Sequence, residues 1–176
     1  MFPKQSGFVP RERFIAAMRH VASSVTVVTT DGPEGRFGAT VSAFTSVSAD
    51  PPTVLVCLSA ESRIARAVSG NGSFCINVLP EDGVEVADRF AGRHDNWIED
   101  RFSGIDCHGL VGEAPLIDRA TGFHAQVQQT LRSGSHLIVI GHVRDVLGGA
   151  ANPLAYRDGS YHRVVPQDHA IAAAAG

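Results

Sequence analysis

The sequence contains little of several residue types, and each scarcity excludes a class of protein. Its three cysteines form no CxxC spacing, so neither a disulfide framework nor a structural zinc site is expected. No apolar run approaches the roughly 20 residues that cross a bilayer, and the first residues lack the apolar core of a signal peptide. We therefore expect a cytoplasmic protein without a membrane-spanning segment.

Basic charge is scarce as well, and it is nearly all arginine. The net charge of −3 gives no basic surface for nucleic acid, and among 15 basic residues only Lys4 is a lysine. Arginine favours fixed, forked contacts with phosphates and carboxylates. Neither a GxGxxG fingerprint nor a Walker loop occurs, so a nucleotide would bind without a Rossmann or P-loop unit.

The chain of 176 residues suits one folded domain. Residues 11–165 hold the periodic apolar pattern and are predicted to form this domain. Residues 1–10 and 166–176 are predicted to be flexible ends. Seven or eight strand-like runs, without regular alternation of helix and strand, predict a mainly β fold. We expect an antiparallel β-barrel decorated with two to four short helices.

Apolar spacing predicts three helices. The first begins after Pro10, the second runs from Ser59 to Gly70, and the third spans residues 84–90. Residues 93–112 are predicted to be an irregular excursion of the kind that often covers a site. The first helix is predicted to bury one apolar stripe, made of Phe14, Ile15, Met18, Val21 and Ala22.

The most informative segment is a strand-like run rich in hydroxyl groups, from Gly38 to Pro52. Alternation along a strand would place Thr40, Ser42 and the following even-numbered residues on one face. Small residues and hydroxyls let a ligand lie against the backbone and form hydrogen bonds with it. A solvent-facing Ser/Thr strand at a sheet edge would have the same pattern, so the run alone only suggests binding.

A second candidate site lies where the second predicted helix begins. The first turn of a helix presents unpaired N–H groups and a partial positive charge. Ser59, Ser62 and Arg63 could together hold a phosphate there. An ordinary serine N-cap beside a solvated arginine would give the same sequence.

Histidines and cysteines give weaker signals. His136 begins a predicted strand, where it could simply hydrogen-bond a carbonyl group. His142 could share its face, but two histidines without carboxylates or thiolates make a poor metal site, and no metal is expected. Cys57 and Cys75 lie in apolar strands and are predicted to be buried free thiols.

In their order along residues 11–164, these segments resemble the short-chain flavin reductases. That family has an FMN-binding split barrel and supplies the reductase components of two-component flavin-dependent monooxygenases. Each matching segment is weak alone, and the ordered set is specific. The segments are Arg13-Phe14, Thr26 to Thr30, Gly38 to Pro52, Cys57 to Arg63, Phe74 to Leu79, and Gly134-Ser135-His136 with Tyr156 to Tyr161.

The resemblance implies a site for FMN or FAD, with NADH or NADPH as the hydride donor. His136 would lie near the nicotinamide and is the one candidate catalytic residue. The phosphate would contact Ser62 and Arg63, and Arg89 and Phe90 would complete the pocket. The ring and ribityl chain would contact Gly38, Ala39, Thr40, Val41, Ser42, Ala43, Ser46, Ser48, Cys57, Leu58 and Ser59. NAD(P)H would contact Tyr156, Arg157, Asp158 and Gly159.

The resemblance further implies a homodimer that reduces flavin with NAD(P)H and supplies it to a partner oxygenase. Ser135 stands where the family often has Asp, so any carboxylate that orients His136 must come from elsewhere or be absent. Two other interpretations stay open. One is another split-barrel branch that resembles the pyridoxamine phosphate oxidases, and the other is a non-enzymatic flavin carrier or sensor.

Overall fold

Antiparallel strands are the predominant secondary structure of the protein, which confirms the predicted fold class. The computed structural model describes residues 7–109, 112–149 and 151–167. The predicted flexible ends therefore lie largely outside the described residues. Within the described residues the helices are α1 (Arg11–Met18), α2 (Arg63–Asn71) and α3 (Val84–Phe90). The strands are β1 (Ser23–Ser24), β2 (Thr26–Thr30), β3 (Phe37–Val41), β4 (Phe44–Ala49), β5 (Pro52–Ser59), β6 (Ser73–Val78), β7 (Cys107–His108), β8 (Leu116–Ile117), β9 (Thr121–Ser133), β10 (His136–Leu147), β11 (Leu154–Arg157) and β12 (Ser160–Arg163).

One seven-stranded sheet organises the molecule, in the order β3-β2-β6-β9-β10-β5-β4. All its neighbouring strands are antiparallel. Strands β3 and β4 follow each other in sequence but lie at opposite edges of this sheet. The N–H of Cys57 donates a 3.0 Å hydrogen bond to the carbonyl oxygen of Ala43, in the connection between them. The sheet therefore curls until its two edges approach.

The prediction of one continuous strand from Gly38 onward is wrong. The run bends at Ser42 and Ala43 and contributes to both edges, so its side chains do not alternate over one surface. Small side chains suit this bend, because the chain has to pass from one edge strand to the other in two residues. Side chains of β3 are half-buried, whereas most of β4 is exposed.

Two apolar clusters lie on either side of β2, whose five residues are all buried. Val28 faces the cluster inside the curled sheet, where Ile64 and Val68 of α2 also pack. Val27 faces the other cluster, which includes Phe90 of α3. Complete burial of an aliphatic or aromatic side chain stabilises the fold by about 1.5–3 kcal/mol, so these clusters fix α2 and α3 firmly against the sheet.

The first helix differs from its prediction, because α1 has no buried residue. The expected buried stripe is solvent-exposed in the single chain, with Phe14 at 55% and Met18 at 48% exposure. Helix periodicity gave the position of the helix, but it does not identify what the apolar face contacts. None of the described helices is long and apolar enough to cross a membrane.

The second helix begins and ends at different residues from those that the sequence predicted. It begins at Arg63, with Ser62 as N-cap, and ends at Asn71. Gly72 follows it in the left-handed conformation with φ +73°, a common C-terminal arrangement for glycine. Gly70 lies inside the last turn, where an added Cβ would collide with the Glu34 side chain. Its small size therefore reflects packing and does not mark the helix end.

Candidate functional site

A cleft of about 500 Å³ lies between the start of α2, the first half of β3 and the excursion after α3. The candidate phosphate residues Ser62 and Arg63 line it, together with Gly38 and Ala39 from the candidate flavin strand. The curled sheet brings these two segments together, although they are more than 20 positions apart in sequence. The cleft thus unites the two sites that the sequence indicated separately.

The start of α2 is capped in the ordinary way. The Ser62 hydroxyl donates to the carbonyl oxygen of Ser59 at 2.6 Å and accepts from the N–H of Ala65 at 3.3 Å. Arg63 is exposed, with its guanidinium carbon 5.7 Å from the centroid of the Phe37 ring. The serine thus orders the helix, while the first-turn N–H groups and Arg63 supply the positive end that suits an anion.

His136 lies beside this helix start. It pairs with Ser59 across the β5–β10 ladder, and the N–H of Ala60 donates a 3.0 Å hydrogen bond to the carbonyl oxygen of Ser135. The Ser135 hydroxyl is 3.0 Å from His136 Nδ1. A neutral hydroxyl therefore contacts the exposed imidazole.

A smaller cavity of about 160 Å³ adjoins the second half of β3. Thr40, Val41 and Ser42 line one side, and Tyr156 and Tyr161 of the C-terminal hairpin line the other. The Thr40 hydroxyl donates to the carbonyl oxygen of Ala87 at 2.7 Å, so it holds β3 against α3. Strand β3 therefore lines the large cleft with its first half and the small cavity with its second.

The C-terminal hairpin is anchored beside this cavity by an acidic group. The Tyr161 hydroxyl donates a 2.6 Å hydrogen bond to Asp88, which also contacts Arg93 at 3.2 Å. Burial, followed by the hydrogen bond and charge of Asp88, raises the pKa of Tyr161 to about 12. Tyr156 packs edge-on against Tyr161 with ring centroids 5.6 Å apart. The two rings form a fixed wall.

Two candidate residues of α3, Phe90 and Arg89, support strand β3 and the excursion. Phe90 is 1% exposed and packs edge-on against Phe102, with centroids 4.9 Å apart. The Arg89 guanidinium donates to the carbonyl oxygen of Ser103 at 2.8 Å. A Cβ added at Gly38 would lie 2.5 Å from the Phe90 ring, so glycine lets β3 lie directly on this aromatic pair.

The remaining candidates line neither the large cleft nor the small cavity. Ser46 and Ser48 lie on the exposed part of β4, and the Ser48 hydroxyl bonds the backbone of Asp50 at 3.0 and 3.1 Å. Asp158 contacts Arg19 at 3.9 Å in the turn after β11. Within one chain, Ser46 and His136 pair with residues of β5, whereas Tyr156 pairs with Ser23 of β1. Leu58 is buried in the core, and Arg157 and Gly159 flank Asp158. Cys57 is only half-buried in β5, so the prediction of a buried thiol is wrong for Cys57.

Sequence reasoning did not identify the residues that close the large cleft. Residues 93–112 were expected to cover a site, and Asp95, Arg101 and Phe102 of this excursion do line the cleft. Arg101 was the only one with a visible signal, the preference for arginine over lysine. Arg36 also lines the cleft, with its guanidinium carbon 4.0 Å from the centroid of the Phe102 ring.

No group of three or more potential metal ligands occurs within residues 7–109, 112–149 and 151–167. The chemistry of the large cleft instead suits an anion on a flat, partly apolar molecule. Aromatic rings, small residues and three arginines line it, and the start of α2 adds a partial positive charge. Asp95, Glu99 and Asp100 line the side formed by the excursion, where Asp95 is paired with Arg101. A flavin phosphate and its ribityl chain fit this set of donors.

The curled seven-stranded barrel is the fold of the FMN-binding split barrels. The chain belongs to the family described as Flavin reductase like domain, whose profile matches residues 18–165. A relative from Ancylobacter novellus, FMN reductase (NADH) RutF, is 37% identical over 158 residues, covering 89% of this chain and 86% of the relative.

Two further similarities extend this assignment. The 4-hydroxyphenylacetate 3-monooxygenase reductase component of Pseudomonas aeruginosa is 32% identical over 158 residues, covering 88% of this chain and 93% of the relative. The crystal structure of flavin reductase HpaC complexed with NADP+ matches with a TM-score of 0.77 and 25% identity, over 88% of this chain and 98% of that one.

Proposed function

We propose that this protein is a flavin reductase that transfers hydride from NADH or NADPH to FMN or FAD. The observation that carries the proposal is the position of β3. Its first half lines the cleft at the positive end of α2, and its second half lines the cavity beside Tyr156. A flavin along this strand would have its phosphate at one end and its ring toward the other.

The residues of this chain bind and orient the flavin. Arg63 and the first-turn N–H groups of α2 hold the phosphate, and the close backbone of Gly38 and Ala39 supports the ribityl chain. Ser42 and the strand end at Cys57 to Ser59 flank the ring, because the Ala43–Cys57 hydrogen bond brings these segments together. When bound, the flavin supplies the chemistry of accepting a hydride from a reduced nicotinamide.

The nicotinamide side uses the remaining candidates. Tyr156 presents its ring to the small cavity, and Arg157, Asp158 and Gly159 continue from it in the exposed turn. His136, whose Nδ1 contacts the Ser135 hydroxyl, lies beside the start of α2 and away from Tyr156 in one chain, so its other ring nitrogen would reach a carboxamide at Tyr156 from a second copy of the chain. Neither residue has to act as a nucleophile or base, since orientation of the two rings is the protein's main contribution.

Steady-state kinetics test this function. Purified protein is mixed with NADH or NADPH, and oxidation of the nicotinamide is followed as FMN, FAD or riboflavin is added. The proposal predicts oxidation that rises with flavin concentration and saturates. Tyr156→Ala should raise the KM for NAD(P)H more than the KM for flavin, whereas tight flavin binding without nicotinamide oxidation would favour a carrier or sensor.

We propose that the reduced flavin passes to an oxygenase partner. Support comes from the Pseudomonas aeruginosa relative, which is described as the reductase component of a monooxygenase. A genomic neighbour encoding an oxygenase would supply the partner for a coupled assay. The expected result is oxygenase turnover that depends on this protein and on NAD(P)H, and turnover that is unchanged by its omission would contradict the pairing.

We also propose a homodimer, in which a second copy covers the apolar side of α1. Phe14, Ile15 and Met18 are at least one-third exposed on this helix, and an apolar patch of this kind is favoured at a protein interface. Light scattering after size-exclusion chromatography should give twice the chain mass, and Phe14→Asp with Met18→Asp should give a monomer. A monomeric parent protein would refute the dimer.

A further inference from the structure

A single arginine connects three segments around the large cleft. Arg101 donates from Nε and Nη2 to the two carboxylate oxygens of Asp95, at 2.9 and 2.6 Å. Its Nη1 donates to the carbonyl oxygen of Phe90 at 3.0 Å and to that of Gly38 at 3.4 Å. The guanidinium thus joins the excursion to the end of α3 and to β3.

The backbone beside this contact leaves space for it. Gly92 has φ +81°, and a Cβ added there would lie 2.6 Å from Arg101 Nη2 and 2.9 Å from Asp95 Oδ2. The glycine therefore provides both the left-handed turn and the room that the ion pair occupies. This is a second, independent sign that the local chain is arranged around the Arg101–Asp95 pair.

The excursion has an outer half, residues 93–100, and an inner half, residues 102–105, and the two are attached to the rest of the protein to different degrees. Phe102 is 6% exposed within the apolar cluster, and Ser103 accepts a hydrogen bond from Arg89. The half from residue 93 to residue 100 is mostly exposed or half-buried, and Asp95 joins it to the sheet through Arg101. Loss of the pair would therefore release the outer half and leave the inner half in place.

We propose that Arg101 is a positioning residue for bound flavin. By holding Asp95 and the Gly38 carbonyl group together, it keeps the outer half of the excursion across the phosphate end of the cleft and slows flavin release. The proposal rests on the proposed flavin site. Arg101 and Asp95 have 29% and 47% exposed side chains, so their pair adds little to folding stability, and its main effect falls on the ligand.

Flavin release rates test the proposal directly. Each protein is loaded with FMN and then diluted far below its dissociation constant, and release is followed by the return of free-flavin fluorescence. Arg101→Gln should release FMN on the order of tenfold faster, because hydrogen bonds to a charged group are lost. Hydrogen exchange of residues 93–100 should rise in the same variant without a similar rise in residues 102–105.

Matched variants separate this role from a general effect on the fold. Arg119→Gln removes another exposed ion pair, in which Arg119 donates to Asp82 at 2.7 Å, and should leave FMN release unchanged. Asp95→Asn keeps the carbonyl contacts of Arg101 and should release FMN at an intermediate rate, as should Arg101→Lys, which lacks the forked donor. Asp95→Asn also serves as the test if Arg101→Gln does not fold.

The outcomes distinguish this proposal from the proposed function. Equal FMN release from the parent, Arg101→Gln and Asp95→Asn proteins would overturn the positioning role and leave the flavin site intact. A parent protein that binds no FMN would overturn both. Faster release with unchanged exchange in residues 93–100 would also contradict the proposal, because the arginine would then act without holding the segment.

Discussion

The hydroxyl group of Tyr161 donates a 2.6 Å hydrogen bond to a carboxylate oxygen of Asp88. This contact fixes the hairpin of β11 and β12 to α3, and α3 in turn supports β3 through the Thr40 hydroxyl. The wall formed by Tyr156 and Tyr161 therefore keeps a set distance from the candidate flavin strand.

Replacement of Tyr161 by Phe tests the energetics of this contact. The pKa of Tyr161 is raised from 10.0 to about 12, so the folded protein retains the phenolic proton more strongly than the unfolded chain. The contribution is complete below pH 10 and is lost as the pH rises through about 12. Tyr161→Phe should lower the free energy of unfolding by about 1 kcal/mol at neutral pH.

Urea unfolding of both proteins at several pH values measures the effect. The difference between parent and Tyr161→Phe should shrink above pH 10, because the parent loses the stabilisation that the variant already lacks. Tyr156→Phe is the control for loss of a hydroxyl from the same hairpin. A difference that stays constant up to pH 12 would contradict the assigned cause.

Gly38→Ala should disturb the support beneath β3. The added Cβ would lie 2.5 Å from the Phe90 ring and 3.2 Å from Phe102. Overpacking of this kind should reduce the free energy of unfolding by about 1–3 kcal/mol, and FMN affinity should fall because β3 shifts. A double-mutant cycle with Phe90→Leu should show favourable coupling, since the smaller side chain provides room. Strict additivity would argue against the contact.

Asn77→Ala should destabilise the fold without contacting the cleft. The Asn77 side chain donates to the carbonyl oxygen of Val27 at 3.0 Å and accepts from the N–H of Ile117 at 2.8 Å, fully buried. Its removal leaves buried polar groups without partners, and we expect a loss of about 2–4 kcal/mol in thermal or urea unfolding. Asn152→Ala, at an exposed position, should have little effect.

The three cysteines should react at different rates in the native protein. Burial raises the pKa of Cys75 to about 12, so its thiol stays protonated and shielded near neutral pH. Cys57 and Cys107 are half-buried. Alkylation followed by mass spectrometry should modify Cys75 only after unfolding, while Cys57 reacts in the native state. Equal native rates for Cys75 and Cys57 would contradict the burial of Cys75.

Local sequence signals predicted those parts of the protein that local chemistry determines. The strand-like runs and the order of the motifs gave the fold class. The serines at Ser59 and Ser62 located the start of α2 to within four residues. The bend at Ser42 and Ala43 was missed because side-chain alternation does not show where a sheet curls. The exposed face of α1 was missed because periodicity records an apolar stripe but not its neighbour.

Long-range contacts explain the rest of what the sequence did not reveal. Asp95 and Arg101 are six positions apart in an irregular segment, and their link to Gly38 crosses 63 residues. No helical or strand period predicts such a pair. The residues that carry chemistry at the start of α2 were visible, whereas the residues that close the cleft became visible only in three dimensions.

Binding of FMN and riboflavin to the parent protein and to Arg63→Gln tests the central claim most directly. Riboflavin has the same ring and ribityl chain but no phosphate, so titration by fluorescence quenching isolates the phosphate contact. We expect Arg63→Gln to weaken FMN binding on the order of tenfold and to leave riboflavin binding unchanged. Equal weakening of both ligands, or no change in FMN affinity, would contradict a flavin phosphate at the start of α2.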